Sequence, residues 1–188
     1  MIGKLTQGLG SAFLKLTGWT VTGQFPSKQS ILVVAPHTSN WDFIYLMFLA
    51  VKWQRLGQVM WIGKHTLFRG PLNPLLRAIG GRPVHRGRHN NIITEVVQHL
   101  KNNPSMSFAL APEGTRSHTE QWKMGFYRIA QRSKLPLALV YLDFQQRRLG
   151  IGPTLELSGD MGRDLELIND FYQREWAAYP EQYGGVTS

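Results

Sequence analysis

The stretch ILVVAPHTSNWDF, residues 31–43, contains a strand, a loop and the start of a helix. Its first five residues are apolar and mostly β-branched, which is typical of a strand buried on both faces of a sheet. Three small polar residues follow His37, and each of them is a good cap for the apolar segment 41–53. The pattern therefore predicts a buried strand with His37 at its carboxyl end and Asp42 in the first turn of the next helix.

The alternation of strands and helices continues along the chain. Further strands are expected at 58–64, 82–86, 105–112 and 135–143, and further helices at 73–81, 90–103, 125–133 and 160–180. This order predicts an α/β fold in which a mostly parallel or mixed central sheet is flanked by helices. We expect a single domain over residues 1–188: an amphipathic N-terminal helix (1–17) that packs on the domain or rests in a lipid interface, a core (18–160), and a C-terminal helix and tail (161–188).

Composition and charge limit the classes of protein to consider. The chain has no cysteine, which excludes disulfides, a thiol nucleophile and thiolate metal ligands. It shows no signal-peptide pattern and no apolar run long enough to span a membrane, so we expect a soluble or surface-bound protein.

The net charge is +9, and the stretch 43–94 has eight Lys or Arg but no acid. Such a surface favours an anionic partner (a phosphate-bearing substrate, a lipid surface or nucleic acid), unless it is only a solvated basic face.

The spacing of His37 and Asp42 points to acid–base chemistry. A turn of this length can fold the carboxylate back onto the imidazole. A carboxylate on one ring nitrogen fixes the tautomer and raises the basicity of the other nitrogen, which makes a general base. The alternative is a helix-capping aspartate beside an unrelated histidine. A metal site is not expected, because no second histidine or carboxylate lies nearby at ligand spacing.

A second charged cluster follows a strand at ALAPEGTRSH, residues 109–118. Gly114 can turn the backbone and expose N–H groups, Thr115 can donate its hydroxyl, and Arg116 can grip a phosphate. A base at one strand end and an anion clamp at another imply an acceptor that carries both a hydroxyl and a phosphate. The alternative is an ordinary turn with a surface arginine.

Four motifs in order resemble those of one enzyme family. HTSNWD and PEGTRS, about 75 residues apart, are similar to the first and third blocks of glycerophospholipid acyltransferases of the lysophosphatidic acid acyltransferase type. GKHTLFRGP with GGRPVHRG resembles the second block, and KLPLALVYLD resembles the fourth. The likeness runs from about residue 18 to residue 160. It departs from the family pattern at four positions, which leaves the acceptor head group open: Pro36, Pro83, His85 and Leu139.

The resemblance implies roles for particular residues. His37 and Asp42 correspond to the catalytic pair of the family, and Arg86 corresponds to the second-block arginine that contacts the phosphate of the acceptor. Lys64 is expected near the reaction centre. The third block contributes further substrate-binding residues, namely Glu113, Gly114, Thr115 and Arg116.

The resemblance also implies an activity. It is the O-acyltransferase reaction of the 1-acylglycerol-3-phosphate type, in which the acyl group of acyl-CoA or acyl carrier protein moves to the free hydroxyl of a lysophospholipid, by default lysophosphatidic acid. Acyl-CoA or the carrier protein would be a co-substrate, and no cofactor and no nucleic acid are expected. We expect a cytoplasmic enzyme bound peripherally to the anionic inner face of the cell membrane.

An acyl chain needs an apolar channel that keeps water from the thioester. The residues that could line it are Phe43, Leu46, Met47, Trp53, Met60 and Trp61.

Two other functions stay open from the sequence. A basic domain that binds nucleic acid would explain the charge, although no recognised binding motif is present. A thioesterase or other lipid hydrolase would share the acid–base pair, although the chain lacks a G-x-S-x-G nucleophile elbow.

Overall fold

The structure, a computed structural model, describes residues 2–84 and 89–185. Its strands are β1 (Thr20–Thr22), β2 (Ile31–Ala35), β3 (Val59–Lys64), β4 (Gly81–Val84), β5 (Ser107–Leu110), β6 (Leu137–Asp143) and β7 (Arg148–Leu155). Its α-helices are α1 (Ile2–Leu16), α2 (Asn40–Lys52), α3 (Asn73–Ala78), α4 (His89–Asn102), α5 (Gly125–Ser133) and α6 (Met161–Phe171). Short 3₁₀ turns lie at His65–Phe68, Arg174–Trp176 and Pro180–Gln182.

The strands form one seven-stranded mixed sheet in the order β1-β7-β6-β2-β5-β3-β4. All neighbouring pairs are parallel except β6 and β7, which run antiparallel. The predicted α/β class, with a mixed central sheet flanked by helices, is confirmed.

Strand β2 lies in the middle of the sheet and is buried on both faces. Ile31 and Val33 pack into a cluster with α4, α5 and α6, whereas Leu32 and Val34 pack into a second cluster with α1 and α2. The apolar run that identifies this strand in the sequence therefore divides its side chains between two cores, as expected for a central parallel strand.

The amphipathic N-terminal helix is present as α1, and it docks on α2. Phe13 stacks on Phe48 with ring centroids 3.6 Å apart, and Leu14 is buried. A side chain at Gly10 would meet the main chain of α2, because a Cβ there would lie 2.6 Å from the nitrogen of Lys52. Of the two placements considered for this helix, the structure shows packing on the domain.

The loops after β2 and β5 leave the sheet toward opposite faces. Helix α2 follows β2 and packs on one face, whereas α5 follows β5 and packs on the other. Because these two strands are neighbours, a crevice opens between their carboxyl ends, and ligands of open α/β sheets bind at such a point.

The predicted C-terminal helix at 160–180 is too long. Asp160 caps α6 as its acidic start suggests, but the helix ends at Phe171. Tyr172 then turns to an extended conformation, because its buried hydroxyl donates to the main-chain oxygens of Val33 (2.6 Å) and Val140 (3.2 Å). Strands β1 and β7 were not predicted either, since one is three residues long and the other contains two glycines and a proline.

Candidate active site

The loop between β2 and α2 is held by a capping box. Ser39 is the N-cap of α2, and its hydroxyl accepts a hydrogen bond from the main-chain nitrogen of Trp41 (3.2 Å). In return, the Asp42 carboxylate accepts a hydrogen bond from the main-chain nitrogen of Ser39 (2.9 Å). This reciprocal pairing satisfies two N–H groups that the first turn of a helix otherwise leaves unpaired.

The same carboxylate orients His37. Oδ2 of Asp42 lies 3.0 Å from Nδ1 of the imidazole, and the aspartate is fully buried while 23% of the histidine side chain is exposed. An ionised carboxylate accepts from Nδ1–H, which leaves Nε2 as the nitrogen available to accept a proton. Asp42 therefore caps the helix, as the alternative interpretation expected, but the histidine beside it is not unrelated, because the same carboxylate contacts its ring.

Glu113 joins this loop to the end of β5. The side chain is completely buried, and its Oε1 accepts a hydrogen bond from the main-chain nitrogen of His37 (2.8 Å). Burial raises the pKa of the Glu113 carboxyl to about 7, and the hydrogen bond from His37 opposes only part of that rise. The sequence assigns Glu113 to the substrate-binding set, whereas the structure uses it inside the protein to hold the loop that carries His37.

The clamp loop, residues 113–116, continues to the surface. Gly114 has φ +66°, in the left-handed region that favours glycine, so the backbone of this turn suits the residue present. Thr115 accepts a hydrogen bond from the main-chain nitrogen of Ser117 (3.2 Å). Arg116 is exposed, and its guanidinium donates to the side-chain oxygen of Asn40 at the start of α2. The two motif-bearing loops therefore meet.

Of the remaining predicted residues, Lys64 lies outside this cluster. Lys64 ends β3 at the same edge of the sheet, but it is two strands away from β2 and does not line the cavity beside His37. Arg86 lies outside the described residues, so its role stays a prediction.

An apolar cavity of about 170 Å³ opens beside His37. It lies between α2 and the sheet, and its wall includes the side chains of Leu32, Val34 and Ala109. The residues proposed for an acyl channel that do line it are Phe43, Leu46, Met47, Trp53 and Trp61. Met60 does not, because it points to the opposite face of the sheet and packs in the cluster with Ile31.

Some contributions to the site were not found from the sequence. The sequence predicts only a capping role for Asn40, yet its side-chain oxygen accepts a hydrogen bond from Arg116. The main chain at Tyr179 and the side chain of Gln182 contact the loop that carries His37. Nothing in the local sequence signals these contacts, because they join residues more than 140 positions apart.

The described part of the chain offers neither a cluster of metal ligands nor a helix that could span a membrane. Residues 2–84 and 89–185 contain no group of three or more His, Asp or Glu side chains that could hold a metal ion. Over the same ranges, every helix is too short or too polar to cross a bilayer.

Comparison with known proteins assigns the chain to a family. The model of the Acyltransferase family matches residues 19–142, about two thirds of the sequence, so the chain belongs to that family. In fold, the chain is similar to the crystal structure of the 1-acyl-sn-glycerophosphate (LPA) acyltransferase PlsC from Thermotoga maritima. The TM-score is 0.59 at 20% sequence identity, over 87% of this chain and 72% of that one. No curated protein matches the sequence.

The burial of Glu113 predicts a pH-dependent loss of stability. Because folding raises the pKa of its carboxyl from 4.5 to about 7, the unfolded chain ionises this group first as the pH rises. Its contribution to stability is therefore complete below the unfolded pKa and is lost as the pH rises through about 7. Relative to Glu113→Gln, the wild type should lose up to about 3 kcal/mol of unfolding free energy between about pH 4 and about pH 8.

Urea unfolding at several pH values measures this difference. Glu120→Gln, at an exposed glutamate of the same region, is the matched control and should follow the wild type. Parallel pH profiles for wild type and Glu113→Gln would show that the carboxyl has an ordinary pKa.

Proposed function

We propose that this protein transfers a fatty acyl group from acyl-CoA or acyl carrier protein to the free hydroxyl of a lysophospholipid, with lysophosphatidic acid as the default acceptor. One observation carries the proposal. The carboxylate-backed imidazole of His37 opens on an apolar cavity, and the exposed guanidinium of Arg116 is held at the start of the same helix. This arrangement offers a base for a hydroxyl, an apolar space for a chain and a cation for a phosphate.

The reaction needs no nucleophile from the protein. Nε2 of His37 takes the proton of the acceptor hydroxyl as that oxygen attacks the thioester carbonyl. The tetrahedral intermediate then expels the thiolate, which takes the proton back from His37. Asp42 stabilises the imidazolium in between, because its buried carboxylate remains on Nδ1.

A serine hydrolase is less well supported. The serine nearest to His37 in the sequence is Ser39, which is buried and whose hydroxyl accepts a hydrogen bond from the main chain as the cap of α2. Ser117 lies on the exposed side of the clamp loop. The acceptor oxygen therefore takes the part that serine plays in a hydrolase.

The surface around the 3₁₀ turn at 65–68 and α3 supports attachment to an anionic bilayer. Three leucines there are more than half exposed: Leu67, Leu72 and Leu75. Three exposed cations belong to the same stretch of chain, namely Lys64, Arg69 and Arg77. The patch also adjoins the cavity, because the buried Phe68 ring contacts Trp61 of the cavity wall (5.9 Å between centroids). Exposed apolar side chains together with nearby basic residues of the same stretch are suited to the interface of an anionic membrane, where the substrates of such an enzyme reside.

The catalytic pair is tested by His37→Ala and Asp42→Asn. Loss of the base, or of the carboxylate that orients it, should lower kcat for transfer to lysophosphatidic acid by about 10² to 10⁴. His118→Ala, at an exposed histidine, is the control and should keep its activity. Transfer is measured with labelled acyl-CoA and a panel of lysolipids, with the product identified by mass. Retained activity in both variants would refute the pair, and covalent labelling by a serine-directed phosphonate would favour the hydrolase.

The phosphate clamp is tested by Arg116→Ala. Loss of a charge-assisted hydrogen bond should raise the KM for the acceptor about ten- to a hundredfold while the KM for the thioester changes little. Arg132→Ala, at an exposed arginine of α5, provides the matched loss of charge elsewhere. A change confined to the thioester KM would contradict the assignment.

The membrane surface is tested by the double variant Leu72→Ser, Leu75→Ser. Removing both leucines should weaken sedimentation with phosphatidylglycerol vesicles at least about tenfold, because each buried leucine contributes about 1.5–3 kcal/mol. Met161→Ser with Leu167→Ser, two half-exposed residues of α6, is the control and should bind as the wild type does. Equal binding of both double variants would place the membrane surface elsewhere.

A further inference from the structure

The C-terminal segment, residues 173–185, runs along the edge of the sheet where the catalytic loops lie. Its starting point is fixed by Tyr172, whose hydroxyl bonds the main chain of β2 and β6. Soon after, the main-chain oxygen of Trp176 accepts a hydrogen bond from the nitrogen of Phe144, just past the end of β6 (2.9 Å). The segment is therefore attached to the same strand ends that position the site.

The segment then reaches the loop that carries the base, residues 36–39. The main-chain nitrogen of Tyr179 donates to the hydroxyl of Thr38 (3.1 Å). Thr38 is almost fully buried and is the residue directly after His37. This hydrogen bond restrains the backbone on which the imidazole is mounted.

Gln182 connects the two catalytic loops directly. With its amide nitrogen facing acceptors, it donates to the main-chain oxygen of Arg116 (2.5 Å) and to that of Thr38 (3.3 Å). One side chain thus bridges the residue next to the base and the residue that carries the guanidinium. Its contacts are to main-chain atoms, so they restrain the loops without occupying the functional groups.

Beyond Gln182 the segment is held against the chain that follows the clamp loop. The ring nitrogen of Trp122 donates to the main-chain oxygen of Gly184. A Cβ at Gly184 would fall 1.7 Å from the main-chain oxygen of Thr119, so the two backbones are in close contact. The neighbouring Tyr183 is buried, and its ring lies 6.5 Å from that of Trp122.

We propose that the C-terminal segment sets the separation between the general base and the phosphate clamp, and that Gln182 is its principal positioning residue. This inference rests on the proposed function, because it assigns the two loops to one acceptor molecule. The segment lies outside the part of the chain that the family model matches, residues 19–142, so the family match itself assigns it no role.

The restraint acts on the acceptor more than on the donor. A lysophospholipid must bring its hydroxyl to His37 while its phosphate reaches Arg116, so a change in the distance between the loops misaligns one group or the other. A misplacement of about 1 Å can cost about a hundredfold in rate. The thioester contacts neither the clamp nor the segment in this scheme, so its binding is unaffected.

Gln182→Ala and Gln182→Glu test the inference, with Gln173→Ala as the control at an exposed glutamine of the same segment. Alanine removes both donated hydrogen bonds. Glutamate adds a carboxylate that faces two carbonyl oxygens and can donate to neither when ionised. In the full chain, kcat/KM for lysophosphatidic acid should fall about tenfold for alanine and further for glutamate, while the acyl-CoA KM stays constant.

Amide hydrogen exchange provides a second measurement that does not depend on activity. Peptides that cover residues 37–40 and 113–118 should exchange at least about threefold faster in Gln182→Ala than in the wild type or in Gln173→Ala. The rest of the sheet should exchange as in the wild type, which separates a local restraint from general destabilisation.

Kinetics and amide hydrogen exchange together distinguish failure of the positioning role from failure of the proposed function. Unchanged exchange in both loops would overturn the positioning role, whatever the acyl acceptor is. Faster exchange, together with a wild type that transfers acyl groups to no lysophospholipid, would support the restraint and reject the proposed function. Equal losses in acceptor and donor KM would also overturn the inference, because they would indicate a general disturbance of the fold.

Discussion

The site depends on one buried carboxylate, that of Asp42, which accepts hydrogen bonds from two directions. It receives the main-chain N–H at the N-cap of α2 and the imidazole N–H of His37. The positive end of the helix dipole favours the ionised form of a carboxylate in this first turn. As a result, the orientation of His37 is coupled to the integrity of the helix, because loss of the cap would displace the carboxylate that holds the imidazole.

A second buried carboxyl, that of Glu113, connects neighbouring strands. Its hydrogen bond to the nitrogen of His37 links the loops after β2 and β5, whose helices depart to opposite faces of the sheet. That divergence opens the crevice, and the hydrogen bond limits how far the loops can separate. Burial of Glu113 is costly, as the elevated pKa of its carboxyl shows, so this loop connection is obtained at the expense of stability.

The sequence was sufficient for the parts of the structure that local patterns encode. The β-branched run at 31–35 and the caps after His37 predict strand, loop and helix, because burial on both faces and helix capping each have a local signature. The His37–Asp42 pair follows from the same reasoning, because a spacing of five positions is short enough for the carboxylate to fold back onto the imidazole.

Other features depend on distant contacts and have no such signature. Helix α6 ends where the hydroxyl of Tyr172 donates hydrogen bonds to the main-chain oxygens of Val140 and Val33, which lie 32 and 139 positions earlier. The helical pattern of the sequence does not reveal these contacts. Strand β7 contains Gly150, Gly152 and Pro153, which disfavour a strand. It forms because its backbone pairs with β6 on one side and with β1 on the other. Glu113 reads as a substrate contact because its motif is charged, and only the tertiary structure shows that it is buried.

The position of the C-terminal segment has a consequence for biosynthesis. His37 follows a strand that begins at residue 31, whereas the bridge between the loops is supplied by residues 179–184. A nascent chain that already contains every motif still lacks that bridge until residues 179–184 have emerged from the ribosome. In this arrangement, the loops that carry His37 and Arg116 fold without their mutual restraint during synthesis and gain it only when residues 179–184 join the fold.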